Sequence, residues 1–215
     1  MYDIKNYQQV IFDCDGVILD SNQIKSKAFA DALVDEDPKL IDEFLYYHQQ
    51  NGGVSRFVKF EYFYKIIKAQ KDYQVDQDNA LKKYSKLSLE GLLSCNEIKG
   101  IRNILTQLSN YNIDSFVVSG GEQTEVRTVL KKKDLSHYFK KIYGSPATKK
   151  ENLSAIKPVK SLYFGDAKSD YEAASVFGMD FVYINGASEW TEGIKFCQQN
   201  NIAMFKDFTE FEGLK

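Results

Sequence analysis

Short apolar runs rich in β-branched and aromatic residues recur along the chain at positions 10–12, 113–118, 161–164 and 181–184, with stretches of helical spacing beside them. Each reads as a buried strand, and strands that alternate with helices need crossover connections, which make the sheet parallel and cover both its faces. Positions 141–143 and 202–205 add weaker strands. The fold class that follows is α/β.

One stretch breaks the alternation. From Asn22 to Ser94 there is no strand pattern, only amphipathic segments at 38–50, 55–70 and 76–93, so this block is expected to be helical. Inserted between the first and second strands, it is placed to cover the carboxyl edge of the sheet, where open α/β sheets bind ligands. Gly52-Gly53 interrupts the block and is expected to form a loop facing that edge. The block is dense in aromatics, and Phe57, Phe60 and Tyr64 fall at i, i+3 and i+7, the spacing of a packed helix stripe.

Charge and cysteine content narrow the setting. Lys and Arg number 28 against 30 Asp and Glu, a formal net charge of -2, so no positive field draws in nucleic acid or anionic lipid. Cys14, Cys95 and Cys197 fit neither a disulfide framework nor a zinc pattern, which points to a reducing compartment. Without a long apolar run or a signal-like start, the expected location is the cytoplasm, with no membrane partner.

Two acidic clusters follow strands. Asp13-Cys14-Asp15-Gly16 ends the first, and residues i and i+2 of a strand point the same way, so two carboxylates are expected in one pocket. Such proximity is costly unless one is protonated or a cation intervenes, and oxygen ligands suit Mg²⁺. Gly165-Asp166-Ala167-Lys168-Ser169-Asp170 follows a later strand and opens a helix, where Asp170 has the alternative reading of a first-turn cap. Between them, Ser119-Gly120-Gly121 offers a hydroxyl and backbone amides to an anionic oxygen, or is simply a turn. Lys149 or Lys150 would be the cation.

In this order the segments VIFDCDGVILDS, VVSGG, SPATKK and YFGDAKSD, within residues 10–170, resemble the four motifs of the haloacid dehalogenase superfamily of aspartate-nucleophile phosphotransferases. The resemblance implies a Rossmann-like core of residues 1–21 and 95–215 and a helical cap domain of residues 22–94. It implies a Mg²⁺-dependent phosphatase acting on a small phosphomonoester, a sugar phosphate by preference. Asp13 matches the nucleophile that forms an aspartyl-phosphate and Asp15 the general acid/base. Ser119, Gly120 and Lys149 match the groups that hold the phosphoryl oxygens, with Lys149 chosen over Lys150 on the SPxxK pattern. The metal ligands implied are Asp13, the main-chain carbonyl of Asp15, Asp166, and Asp170 directly or one step behind. Gly53-Val54-Ser55-Arg56 resembles a cap loop whose Arg56 touches substrate, the alternative being a helix cap at Ser55 with Arg56 on the surface.

The same subclass includes phosphosugar mutases resembling β-phosphoglucomutase. Those carry a His in the helix after the first motif, where this chain has Lys25; its histidines are His48 and His137. Hydrolysis is therefore the expected outcome. The intact GDxxxD acids argue against a dehalogenase, and a phospho-aspartate signalling domain would be shorter and would lack the helical insertion.

Overall fold

The computed structural model describes residues 3–211. Six parallel strands form one sheet in the order β3-β2-β1-β4-β5-β6. They are β1 (Gln9–Phe12), β2 (Asp114–Glu122), β3 (Lys141–Ser145), β4 (Ser161–Gly165), β5 (Asp180–Ile184) and β6 (Ala203–Phe205). The two weaker strands of the sequence reading are thus the two edges, where a strand is paired on one side only.

Alternation along the strands divides the core. Val10, Phe12, Val117, Leu162, Phe164 and Val182 pack with α5 (Ile101–Asn110) and α6 (Gln123–Lys132), while Ile11, Phe116, Val118, Tyr163 and Phe181 face the opposite way. That second face is covered by α7 (Lys149–Ser154), α8 (Lys168–Val176) and α9 (Gly193–Gln199). Because both faces are buried, β1 and β4 read as continuous apolar runs.

Between β1 and β2 the chain makes α1 (Asn22–Ala32), α2 (Pro38–Gln50), α3 (Arg56–Tyr62) and α4 (Gln74–Ser94). These close around their own cluster of Phe29, Phe44, Phe60, Phe63 and Tyr84, so most aromatics of this block are packing residues, Tyr46 and Phe57 being exposed. Phe29 stacks on Tyr84 at 4.1 Å between ring centroids, and Phe44 meets Phe63 edge-on at 5.3 Å. The expected 55–70 helix is shorter: α3 gives way to a π-helical turn, Phe63–Ile67. Phe60 and Tyr64 of the i, i+3, i+7 stripe are buried as expected and the turn adds Phe63 to them, whereas Phe57 is 38% exposed.

The Ser119-Gly120-Gly121 segment also differs from expectation. It is not a turn; β2 continues through it to Glu122, with a register irregularity against β3 between Val118 and Glu122. Glu122 then caps α6, accepting from the Thr124 and Glu125 amides.

Candidate active site

β1 is the central strand, flanked by β2 and β4; the chain runs outward from β1 to β2 and β3, then crosses to β4 on the other side, and this reversal opens a crevice at the carboxyl ends. Asp13, the residue after β1, is 3% exposed there. Its Oδ2 lies 3.2 Å from Lys149 Nζ, while its Oδ1 is buried with no hydrogen-bond partner. Burial, more than its acidic neighbours Asp170 and Asp15, lifts the Asp13 carboxyl to about 7, against the pull of Lys149.

Oxygens of Asp13, Asp166 and Asp170 lie within 4.8 Å of one another. The three do not play the same part. Asp170 is fully engaged: Oδ1 accepts from Lys149 Nζ at 2.5 Å and from the Tyr163 hydroxyl at 2.9 Å, and Oδ2 accepts from the Asp166 and Ala167 amides. It is therefore a cap for the start of α8, as one reading held, and a brace for Lys149. Asp166 Oδ2 accepts from Asn22 Nδ2 at 2.6 Å, and burial together with Asp13 and Asp170 raises its carboxyl well above the usual range. Gly16, at φ +74, is the close approach that admits this carboxylate: a Cβ there would sit 2.2 Å from Asp166 Oδ2. An orphaned oxygen on Asp13, a second carboxylate beside it and an all-oxygen donor set fit a hard divalent cation such as Mg²⁺.

Asp15 borders the same cavity but faces the helical block. Strand alternation does not put it there, since β1 ends at Phe12. Its Oδ1 accepts from Ser21 Oγ at 2.6 Å and its Oδ2 from Lys25 Nζ at 2.5 Å, so its carboxylate stands outside the three-acid cluster expected to hold the metal. Burial pushes its carboxyl up, but Lys25 and Ser21 more than offset this and hold it below the ordinary value.

Lys149 is 7% exposed whereas Lys150 lies in solvent. The difference is set by a capping box, in which Thr148 accepts from the Glu151 amide and Glu151 from the Thr148 amide. The box makes Lys149 the first residue of α7 and turns it inward. Ser119 is fully buried, its Oγ accepting from the Gly121 amide at 3.0 Å. The 52–53 loop meets the crevice as expected: Ser169 Oγ donates to Gly52 O at 2.8 Å. Side chains are excluded at the contact, since a Cβ on Gly120 would stand 2.0 Å from Gly53 O.

Arg56 is not on the surface, as the alternative reading had it; it borders the cavity with its guanidinium already paired. Its guanidinium pairs with both carboxylate oxygens of Glu125 on α6, donates to Ser85 Oγ at 3.2 Å and lies 4.6 Å over the Tyr84 ring. This bidentate pair, 4% and 8% exposed at its two side chains, ties α3 to the sheet-bearing part of the chain. Arg56→Ala would leave Glu125 buried without its charge partner, a loss of about 3–5 kcal/mol that lowers Tm by roughly 6–12 °C in a chain of this size. Thermal unfolding of Arg56→Ala, Glu125→Gln and the double variant checks this: the double variant should lose less than the two losses added.

Sequence reasoning did not single out His48 or Lys59, which border the cavity. A signal existed. Arg56, Lys59, Phe60 and Phe63 share one buried face, so a lysine stands at an i+3 position of an apolar stripe.

The family model for haloacid dehalogenase-like hydrolases matches residues 10–184. Among solved structures, a protein described as a predicted phosphoglycolate phosphatase from Haemophilus somnus superposes with a TM-score of 0.73 at 16% identity, covering 95% of this chain and 96% of that one. A β-phosphoglucomutase from Clostridium difficile gives 0.72 at 15%, covering 96% and 93%. A HAD-hydrolase of Bacillus subtilis bound to magnesium gives 0.65 at 18%, covering 95% and 96%. At these identities the likeness is one of fold. No match was found among curated proteins. No helix of the described residues is long and apolar enough to cross a membrane.

Proposed function

The chain belongs to the haloacid dehalogenase-like hydrolase family, and from that premise we propose that it is a Mg²⁺-dependent phosphatase that hydrolyses a small phosphomonoester through an aspartyl-phosphate on Asp13. The observation that carries this reading is Asp13 Oδ1, a buried and unpartnered carboxylate oxygen beside a buried lysine at the end of the central strand.

In the first step an Asp13 oxygen attacks phosphorus, the bond to the ester oxygen breaks, and Asp15 passes to that oxygen the proton that a monoanionic ester brings into the site. In the second, water attacks the same phosphorus, Asp15 takes the water's proton, and the bond to Asp13 breaks to release phosphate. Lys25 and Ser21 hold Asp15 in its basic form, the form that water activation requires. Lys149 neutralises the phosphoryl oxygens and fixes the Asp13 carboxylate, with Asp170 bracing Lys149 from behind. Ser119 and the Gly120 amide take the remaining phosphoryl oxygens.

The residues that would hold Mg²⁺ are Asp13 and Asp166, with the main-chain carbonyl of Asp15 as the resemblance implies; the engaged oxygens of Asp170 favour the bracing role for it. When bound, the ion screens the negative charge shared by the carboxylates and the phosphoryl group.

Residues 22–94 act as a cap domain over a core of 1–21 and 95–215, excluding water from the reaction; of these ranges, 1–2 and 212–215 lie outside the described residues. The meeting of Gly53 with Gly120, and of Arg56 with Glu125, supports that division. The cavity between the two parts, bordered by Asp13, Lys25, His48, Lys59 and Asp166, is where the ester would sit.

The test is phosphate release from a panel of phosphomonoesters, glucose 1-phosphate included, with and without Mg²⁺. Metal-dependent release is expected, and release from none would overturn the reading; conversion of the sugar ester to its isomer would mark a mutase instead.

The metal assignment has a readout besides turnover. Burial raises Asp13 to about 7 and Asp166 well upward from an ordinary 3.8, so the metal-free fold keeps protons that the unfolded chain has lost. The contribution of Asp13 to stability is full below pH 3.8 and is lost as the pH rises through about 7, and that of Asp166 runs in the same direction. A cation between the ionised carboxylates reverses that loss, so Mg²⁺ should raise Tm more at pH 8 than at pH 5. Asp166→Asn should remove most of the gain at pH 8. Equal gains at both pH values, or an undiminished gain in the variant, would contradict the assignment.

A further inference from the structure

Four buried cations surround the crevice, and three already have carboxylates. Lys25 is paired with Asp15, Arg56 with Glu125, and Lys149 with Asp13 and Asp170. Lys59 is the fourth. It is 2% exposed, borders the cavity and has no acidic side chain in contact with it among the described residues.

Neutral acceptors hold it instead. Lys59 Nζ lies 2.6 Å from His48 Nδ1 and 3.3 Å from His48 O. His48 Nε2 is 2.9 Å from Ser26 Oγ, which donates at 2.7 Å to Glu189 Oε2 in the loop after β5. The chain of donors therefore runs from Lys59 to His48 Nδ1, from His48 Nε2–H to Ser26, and from Ser26 to the Glu189 carboxylate. This direction fixes the imidazole as the neutral Nε2–H tautomer with Nδ1 accepting. Burial, then Lys59 and Lys25, keep His48 neutral by pushing its pKa well below the ordinary value.

An ammonium has three protons, and this arrangement uses two. Phe29 offers the third only a ring face, with Nζ 5.6 Å from its centroid. Burial and the positive charge of Lys25 and Lys149 act against the Lys59 charge, while Glu189 and Asp15 support it from a distance, and its pKa falls to about 7. A buried cation without a counter-charge is costly, and a ligand anion is what removes that cost.

We propose that Lys59, aimed by His48, is a specificity-determining residue that binds an anionic group on the leaving half of the substrate. The substrate class is then a phosphomonoester whose alcohol part carries a carboxylate or a second phosphate, in place of the neutral sugar expected from sequence. This rests on the phosphatase reading for the meaning of "leaving half". The binding itself does not.

The experiment is calorimetric titration with phosphonates, which cannot be hydrolysed, in the presence of Mg²⁺. Phosphonoacetate carries a carboxylate, methylenediphosphonate a second phosphoryl group, and ethylphosphonate neither. The wild-type protein should bind at least one of the first two more tightly than ethylphosphonate, by on the order of 10- to 100-fold, as for a charge-assisted hydrogen bond in a buried site. Whichever of the two binds tighter identifies the anion. Lys59→Met should remove that preference, and His48→Phe, which leaves Lys59 in place without its acceptor, should reduce it. Thermal unfolding and retained Mg²⁺ binding show that each variant is folded. Equal binding of all three phosphonates by the wild type would overturn the proposal, as would a folded Lys59→Met that keeps the preference. Failure of the phosphatase reading looks different: no ester would release phosphate, while the difference between phosphonates would stand.

Discussion

Asp13→Asn is expected to reduce phosphate release by on the order of 10⁴-fold or more, because the amide that replaces the carboxylate oxygens is no nucleophile toward phosphorus. The same change should leave the metal-free protein at least as stable as the wild type at pH 8. Burial makes the charged Asp13 costly, its carboxyl rising to about 7, and the neutral isostere avoids that charge. Loss of turnover together with a kept or raised Tm is a signature that a merely structural aspartate would not give. Initial rates and thermal unfolding of the same preparation measure both.

Lys149→Met should be severe in both respects. The lysine stands between Asp13 and Asp170, with its side chain 6% exposed, so its removal leaves buried carboxylates facing one another. Breaking a buried pair by taking one partner costs about 3–5 kcal/mol, and loss of a preorganised charge at the phosphoryl group costs about 10²- to 10³-fold in kcat. Lys150→Met, at the next position but in solvent, should change neither. Comparable effects at the two positions would contradict the assignment of Lys149.

That pair of neighbours also shows how far the sequence could be read. A match to SPxxK picked Lys149, but the physical reason was present in Thr148 and Glu151, whose reciprocal capping sets where α7 begins. The central strands and the limits of the helical block were legible because their signals are local: apolar runs ending in glycine or acid, and apolar spacing around 3.6 residues. The π turn after Tyr62 was not, because packing of Phe63 against Phe44 fixes it, and no local propensity does. Nor was β2 past Val118 legible, since Ser-Gly-Gly has the composition of a turn and the ladder with β3 resumes only beyond it, at Glu122 and Ser145.

Within the site, the acids of the DxD and GDxxxD segments were legible, but their division of labour was not. Asp15 faces Lys25 and Ser21, ten and six residues away, and Asp170 is used up by Tyr163, Lys149 and two amides. The pairing of Arg56 was hidden for the same reason. Its partner Glu125 is 69 residues distant, and no spacing rule links a helix of the insertion to the helix after β2. Lys59 and His48 escaped notice because a lysine on an apolar stripe looks, from sequence, like the edge of a solvated face.

The central claim is that Asp13 carries the phosphoryl group. Acid quenching within a single turnover in Mg²⁺, followed by mass spectrometry of the peptides, tests it most directly. The prediction is one added phosphoryl group on the peptide that contains Asp13, lost on neutralisation with hydroxylamine and absent from Asp13→Asn. Phosphate release that proceeds at full rate with no adduct, or with the adduct on another residue, would contradict it.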